Sequence, residues 1–220
     1  MELLGFGRLI DAEGRARMAA GAAWHQTFQR ELARGGRLVA VERAVRDPVL
    51  GVSGRMDALV RDDDGTVAVV EYKTVGGSRF AEILGHGRPP VTFWAQLALY
   101  LEMTGYRRGH LVVDARETPR RRLAFVQEAP GPWGTWVRER VARARAWAES
   151  GKLPPREPGP PCLSCDRWQR CYRTEADREA AVAAHPIWEP DPPLAHLTIR
   201  ALEPWQEPGE GHEAGEGEQY

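Results

Sequence analysis

Two strand-like segments joined by an acidic turn constrain the fold of this 220-residue chain more than any other feature. Residues 49–60 and 66–73 are rich in valine and have the length of β-strands, and Asp62-Asp63-Asp64-Gly65 between them is typical of a hairpin turn with positive φ at glycine. A hairpin centred on this turn places Asp57 opposite Glu71. Cross-strand neighbours have Cβ atoms about 5 Å apart, so the pattern predicts two carboxylates side by side.

Lys73 completes a charged group on this hairpin. Side chains alternate along a strand, which puts Glu71 and Lys73 on one face and Tyr72 on the other. Lysine is scarce here, two of thirty basic residues, and arginine does not replace a compact ammonium. Paired carboxylates are costly without a cation, and hard oxygen ligands suit Mg²⁺ or Mn²⁺. Asp57, Glu71 and Lys73 therefore predict a metal-dependent phosphodiesterase centre, and the alternative is a cross-strand salt bridge between Lys73 and either acid.

The remaining hydrophobic pattern predicts further helices and strands around the hairpin. In chain order we expect a helix at 14–34, a strand at 37–46, the hairpin, a loop or short helix from Gly76 to Gly87, a helix at about 91–104, strands at 108–114 and 121–127, a helix at 133–149 and a short helix near 174–184. This order predicts an α/β fold with a mixed central sheet flanked by helices.

Composition divides the chain into three parts. We expect residues 1–152 to form the core, 153–185 to form a cysteine-containing appendage after a proline-rich linker, and 186–220 to be an extended, partly disordered acidic tail. The formal charge of −1 neither favours nor excludes nucleic acid as a partner. We find no apolar run long enough to span a membrane and no signal-peptide pattern, which predicts a cytoplasmic protein without a membrane partner.

Two residue pairs at helical spacing add candidate site residues. Gly21 and His25 lie four apart, as do Gln96 and Tyr100, so each pair shares one helix face. His25 is either a metal ligand or a histidine satisfied at the edge of the core. Gln96 and Tyr100 are either positioning groups or an ordinary polar helix edge.

Four motifs in this order resemble the RecB-like branch of the PD-(D/E)XK nuclease superfamily. They are Gly21-Ala22-Ala23-Trp24-His25, Gly54-Arg55-Met56-Asp57, Glu71-Tyr72-Lys73 and the segment from Gln96 to Tyr100. Each motif alone is weak, and their common order makes the resemblance specific. It covers residues 15–175 and implies a restriction-endonuclease-like core.

The resemblance also implies a role for each motif residue. Asp57 and Glu71 would hold one or two Mg²⁺ or Mn²⁺ ions, with the Tyr72 carbonyl and His25 completing the metal shell. Lys73 would orient or help deprotonate the attacking water and stabilise the transition state. Gln96 and Tyr100 would position the substrate strand or the water.

The cysteines extend this resemblance. Cys162, Cys165 and Cys171 follow a proline-rich approach and resemble the C-terminal half of the iron–sulfur staple in CRISPR-associated exonucleases of the fourth Cas family and in AddB-type nucleases. That staple implies a [4Fe–4S] cluster, but the fourth cysteine is missing from this chain. A different or external ligand, a start upstream of Met1, a Zn²⁺ site with His185 or Asp166, and three thiols without metal are the alternatives.

The implied function is a metal-dependent DNA exonuclease that prefers single-stranded or frayed ends. It would act in DNA repair, recombination or CRISPR spacer acquisition, with an integrase or recombination protein as a partner. A non-catalytic nucleic-acid-binding scaffold and a restriction-type endonuclease are the alternatives. Two aromatic residues, Trp94 and Tyr72, are candidates either for stacking on bases or for the core. The arginines that could follow phosphates are Arg107, Arg108, Arg120, Arg121, Arg122, Arg138, Arg140, Arg143 and Arg145. For the last four, which belong to the predicted helix at 133–149, a solvated Arg/Glu face is the alternative.

Overall fold

A computed structural model describes residues 12–117, 121–185 and 201–202. Its longer elements, in chain order, are α1 (Ala12–Arg34), β1 (Leu38–Asp47), β2 (Val52–Arg61), β3 (Val67–Val75), α2 (Gly77–His86), α3 (Val91–Thr104), β4 (Arg108–Ala115), β5 (Arg122–Glu128), α4 (Pro132–Ser150), α5 (Glu175–Ala183) and β6 (Ala201–Leu202). The helices and strands predicted from the sequence are all present, with ends that differ by a few residues.

In the described ranges, the strands form one mixed six-stranded sheet in chain order, from β1 to β6. Only β3 and β4 run parallel; the other neighbours are antiparallel. This parallel pair requires a crossover, which α2 and α3 supply. The mixed sheet flanked by helices confirms the predicted restriction-endonuclease-like architecture.

The β2–β3 hairpin has the predicted register. Its ladder runs from the pair Arg61–Val67 to the pair Ala58–Val70. Gly65 has φ of +83°, and its N–H donates to the Asp62 carbonyl oxygen at 2.9 Å. Asp57 is the first residue of β2 beyond the end of this ladder, where the two strands separate.

Two hydrophobic clusters lie on opposite faces of the sheet. The larger one joins the sheet to α2, α3 and α4 through residues such as Met56, Val69, Leu97, Leu111 and Trp133. The smaller one joins it to α1 through Phe28, Leu32, Ala58, Val70 and Tyr72. Val69 and Val70 therefore face opposite sides, as alternation along a strand requires.

The appendage and the tail are only partly described. Two short 3₁₀ helices, Pro160–Ser164 and Trp168–Arg170, precede α5, whose Thr174 and Asp177 form a capping box. Ala201–Leu202 adds a short strand beside β5, and the rest of the predicted acidic tail lies outside the described residues. The three-part division of the chain stays a prediction. Within the described ranges, none of the helices is both long enough and apolar enough to cross a membrane.

A glycine pair tests the packing of α3 on β4. A Cβ at Gly109 would lie 2.7 Å from Leu97 Cδ1, whereas a Cβ at Gly85 of α2 would meet nothing within 4 Å. We expect Gly109→Ala to lower the free energy of unfolding by about 1–3 kcal/mol through overpacking. Gly85→Ala is the matched control and should raise it by up to about 1 kcal/mol because alanine favours the helix. Urea denaturation measures both, and an unchanged midpoint for Gly109→Ala would contradict this packing.

Candidate active site

The candidate site lies where β2 separates from β3. One oxygen of the Asp57 carboxylate, Oδ2, accepts a hydrogen bond of 2.8 Å from the Tyr72 backbone N–H. The Asp57 side chain therefore occupies a position where a regular ladder would have continued. On the other side of β2, Gln29 Nε2 donates to the Asp57 carbonyl oxygen at 3.2 Å. Hydrogen bonds from β3 and from α1 therefore hold the side chain and the backbone of Asp57, respectively.

His25 reaches the same carboxylate from α1. Its Nδ1 lies 3.3 Å from Asp57 Oδ1. The hydrogen bond with Asp57 raises the pKa of His25, and it outweighs the opposing effect of burial. The structure therefore brings His25 to Asp57, as the motif order predicted, and leaves its role as a metal ligand a prediction.

Glu71 is a buried carboxylate with an incomplete set of partners. It is 1 % exposed, and its Oε1 accepts from Lys73 Nζ at 2.6 Å. Its other oxygen, Oε2, has no hydrogen-bond partner among the described residues. Burial raises the pKa of Glu71 to about 7, the charge of Asp57 adds to this, and the ammonium of Lys73 only partly offsets it. A cation beside Oε2 would give this oxygen a partner and would offset the repulsion between Glu71 and Asp57.

Lys73 is held by α3 as well as by Glu71. Its Nζ donates to Gln96 Oε1 at 2.9 Å, and it lies 5.4 Å from the centre of the Phe93 ring. Gln96 Nε2 donates in turn to the Tyr100 hydroxyl at 3.2 Å. The Lys73 ammonium can only donate, so the Gln96 amide must turn its oxygen to Lys73. In this orientation the amide nitrogen faces the Tyr100 hydroxyl and is hydrogen-bonded as well.

Tyr100 closes the chain of hydrogen bonds onto β2. Its hydroxyl donates to the Arg55 carbonyl oxygen at 2.9 Å. A Cβ at Gly54 would lie 2.7 Å from Tyr100 Cε1, so this approach requires glycine. Gly54 and Tyr100 belong to different predicted motifs, and the structure gives one reason why both are present. The geometry thus joins Glu71, Lys73, Gln96 and Tyr100 into one network.

Glu42 is a candidate that the sequence reasoning missed. Donor atoms of His25, Glu42 and Asp57 all lie within 4.8 Å of one another. Glu42 Oε2 also forms a salt bridge with Arg55 Nε at 2.6 Å, and Glu42 Oε1 accepts a hydrogen bond from Gln29 Nε2 at 3.0 Å. The pairs Val41–Ala58 and Arg43–Met56 flank it, so Glu42 stands across from Asp57 on β1. Extending the hairpin argument from β3 to β1 would have found it.

The donor set fits a hard divalent cation. Carboxylate oxygens with one imidazole suit Mg²⁺ or Mn²⁺. Asp57 is common to two groups of candidate ligands, because its donor atoms lie within 4.8 Å of those of His25 and Glu42 and its charge also acts on buried Glu71. This juxtaposition of Asp57, Lys73 and an incompletely partnered Glu71 is chemically that of a metal-assisted hydrolase.

Comparison with known proteins agrees with this chemistry. A family model described as the PD-(D/E)XK nuclease superfamily matches residues 7–172. The chain belongs to this superfamily. Its members are nucleases, and the predicted fold and family are therefore confirmed at that level. No curated protein matches the chain.

Solved structures support the nuclease fold independently. An alkaline exonuclease (LHK-Exo) from Laribacter hongkongensis is 18 % identical, with a TM-score of 0.52 over 68 % of this chain and 75 % of that one. The same exonuclease in complex with dAMP is 18 % identical, with a TM-score of 0.54 over the same shares. A third structure, SSO0001, has 22 % identity and a TM-score of 0.46 over 64 % and 65 %, which is too low to carry an argument.

The cysteines of this nuclease do not form a single-ion site. Cys162 and Cys165 are half-buried and Cys171 is exposed. In the described part of the chain, the only group of three metal-ligating side chains within 4.8 Å is the one containing His25. Cys162 Sγ instead lies 3.8 Å from the Glu157 carbonyl oxygen and 4.0 Å from the Tyr172 hydroxyl. With three thiols where a Cys₄ set needs four, the iron–sulfur interpretation stays a prediction and supplies no chemistry here.

Most arginines proposed to follow DNA are engaged with acids. Arg108 contacts Asp62, Asp64 and Glu128, and Arg122 contacts Asp114 and Glu31. The α4 arginines also pair with acids, Arg138 with Glu102, Arg140 with Glu157, Arg143 with Glu139 and Arg145 with Glu149. A paired Arg/Glu face therefore describes α4 better than a phosphate track.

The two aromatic candidates for base stacking belong to the core. Trp94 is 3 % exposed and Tyr72 is 1 % exposed. A base cannot reach a ring that is already covered on both sides, so this part of the DNA-binding hypothesis is wrong. Tyr72 keeps a place in the site through its backbone.

The raised pKa values predict an unusual pH dependence of stability. Folding raises the pKa of Glu71 from 4.5 to about 7 and raises that of His25 above 6.5. The folded state therefore binds more protons than the unfolded chain, and the stability this gives is lost as pH rises through about 7. We expect the melting temperature of the metal-free protein to fall between about pH 5 and about pH 8. Thermal unfolding of wild type and Glu71→Gln measures this, and the variant should show a shallower slope; equal slopes would contradict the burial of this charge.

Proposed function

We propose that this protein is a Mg²⁺- or Mn²⁺-dependent deoxyribonuclease that acts as an exonuclease. One observation carries the proposal above all others, namely a buried Glu71 with an unpartnered oxygen beside Asp57 and Lys73. A non-catalytic scaffold on the same fold would need neither the repelling carboxylates nor the ammonium held between Glu71 and Gln96. Leaving a buried carboxylate oxygen unpaired costs about 1–3 kcal/mol, which a purely structural site has no reason to bear.

The residues divide the work of phosphodiester hydrolysis. Asp57, Glu71 and His25 would hold the metal together with the Tyr72 carbonyl, and Glu42 would add a further carboxylate. When bound, the metal supplies Lewis acidity to the phosphate and lowers the pKa of a bound water. Lys73 would orient that water and offset the charge that develops on the phosphate. Through Gln96, Tyr100 keeps Lys73 in place.

Substrate and pathway are the finer parts of the proposal. The fold shared with an alkaline exonuclease, and the capture of dAMP by that exonuclease, support DNA as the substrate and cleavage from an end. The order of the four motifs supports assignment to the RecB-like branch. From this branch follow the preference for single-stranded or frayed ends, a 5′-phosphate product, and work in repair, recombination or CRISPR spacer acquisition with an integrase or recombination protein.

The nuclease assay has an internal control, since the chain has only two lysines. We expect Lys73→Ala and Asp57→Ala each to lower hydrolysis of end-labelled single-stranded DNA with Mn²⁺ by about 10²–10⁴-fold, because Lys73 would offset charge on the reacting phosphate and Asp57 would hold the metal. Lys152→Ala, which changes an exposed residue after α4, should retain wild-type activity. Circular dichroism checks that all three variants are folded.

Three outcomes separate the competing functions. Equal activity in wild type, Lys73→Ala and Asp57→Ala would identify a contaminant and overturn the proposed site. Cleavage of a closed circle at the rate of linear DNA would favour a restriction-type endonuclease. DNA binding without cleavage, with or without Mn²⁺, would favour the scaffold.

The cysteines can be tested separately by metal analysis. Because the three thiols do not converge on one ion and a fourth cysteine is missing, we expect the isolated chain to contain less than stoichiometric zinc and iron. Under native conditions a thiol reagent should titrate all three. Stoichiometric iron with acid-labile sulfide after anaerobic purification would show instead that a ligand other than cysteine completes a cluster.

A further inference from the structure

We propose that the side chains of Tyr72, Asp114 and Arg122 form a tether that positions the metal-binding residues from the face of the sheet that α1 covers. The inference rests on the proposed function and extends it to three side chains that would contact neither the metal nor the DNA. The tether crosses three adjacent strands, β3, β4 and β5.

The polar half of the tether is fully hydrogen-bonded. The Tyr72 hydroxyl donates to Asp114 Oδ2 at 2.7 Å, and both residues are buried, at 1 % and 6 % exposure. Arg122 grips the same carboxylate with two groups, Nε to Oδ1 at 2.7 Å and Nη2 to Oδ2 at 2.8 Å. Arg122 Nη2 also donates to Glu31 Oε2 of α1 at 3.0 Å. The phenol is therefore fixed to a carboxylate that is itself fixed by a bidentate arginine.

The aromatic half of the tether sets the position of α1. The Tyr72 ring stacks on Phe28 with centroids 4.3 Å apart and planes inclined by 9°. The His25 ring meets Tyr72 edge-on at 5.0 Å and 84°. Arg122 covers Phe28 from above, with its guanidinium carbon 5.1 Å from the ring centre. The tyrosine ring is thus the surface against which the His25 imidazole rests.

Tyr72 links both halves to the metal side through its backbone. Its N–H holds Asp57 Oδ2 at 2.8 Å, and its ring supports His25, whose Nδ1 lies 3.3 Å from Asp57 Oδ1. One residue therefore locates two groups that would bind the metal. Because Tyr72 lies between Glu71 and Lys73 in β3, a shift of Tyr72 would also displace the backbone that carries both residues.

Energetics favour positioning over stability as the reason for this network. A buried Asp–Arg pair contributes little net stability, since desolvation offsets most of its attraction, and apolar residues of the same volume would stabilise the fold equally well. Residues that orient metal ligands without touching the metal commonly change metal affinity about 10–100-fold when mutated. We therefore expect the tether to affect metal affinity more than folding.

The test uses Tyr72→Phe, which removes one hydroxyl and keeps the ring. We expect Mn²⁺ to bind this variant about 10-fold more weakly, measured by titrating free Mn²⁺ with electron paramagnetic resonance. The metal-free melting temperature should stay within a few degrees of wild type. Tyr106→Phe removes a tyrosine hydroxyl outside the site and should leave Mn²⁺ affinity unchanged. If Tyr72→Phe unfolds, Arg122→Lys keeps the charge, loses the bidentate grip and serves the same purpose.

The outcomes distinguish the tether from the function on which it rests. Suppose that the wild-type protein binds Mn²⁺ and that Asp57→Ala abolishes this binding. If Tyr72→Phe and Arg122→Lys then bind Mn²⁺ as tightly as the wild type, the tether is overturned and the metal site is left intact. If Asp57→Ala binds Mn²⁺ as tightly as the wild type, the proposed metal site is overturned and the tether with it. A loss of thermal stability in Tyr72→Phe without a loss of Mn²⁺ affinity would make the network purely structural and would also overturn the inference.

Discussion

The burial of the Glu71 carboxylate beside Asp57 is the constraint on which the rest of the site depends. Two acids of like charge in a space of low polarity cannot both ionise without help, and the pKa of Glu71 rises to about 7 as a result. Lys73 offsets part of this cost through one oxygen and leaves the other unpartnered among the described residues. The metal-free protein therefore holds a site that a divalent cation would complete, which is the electrostatic requirement of the chemistry proposed for it.

The separation of β2 from β3 makes room for this group. The ladder between the strands ends at the pair Ala58–Val70. Beyond it, the Tyr72 backbone N–H donates to the Asp57 side chain instead of to a backbone carbonyl of β2. Beyond that point β2 is held by β1 on one side and by the Tyr100 hydroxyl on the other. The backbone groups of Tyr72 and Arg55 beside the gap therefore keep hydrogen-bond partners, and α1 and α3 reach the gap from opposite faces of the sheet.

Local arguments predicted much of the fold and part of the site. Alternation, turn residues and helix periodicity predicted the described helices and strands up to Ala183, and the register of the β2–β3 hairpin is confirmed at four residue pairs. The same reasoning missed Glu42, because it was applied to one neighbour of β2 and not to the other. It also left Tyr72 and Trp94 as candidates for stacking on bases, since an aromatic residue in a strand or helix has the same local pattern whether it is exposed or covered.

The sequence by itself determined which chemical groups are present and in what order they follow one another, because strand alternation and helix spacing are properties of a few neighbouring residues. That was sufficient to predict a metal-dependent phosphodiesterase centre at Asp57, Glu71 and Lys73, and the resemblance of the four motifs to a known family narrowed it to a nuclease. Only the tertiary structure decided that Glu71 is buried with one oxygen unpaired among the described residues. It also decided that Arg108 and Arg122 form salt bridges with acids, and that Asp114 accepts a hydrogen bond from the Tyr72 hydroxyl. These facts join residues up to 91 positions apart, as in the contact between Arg122 and Glu31, and local pattern carries no information about such distances.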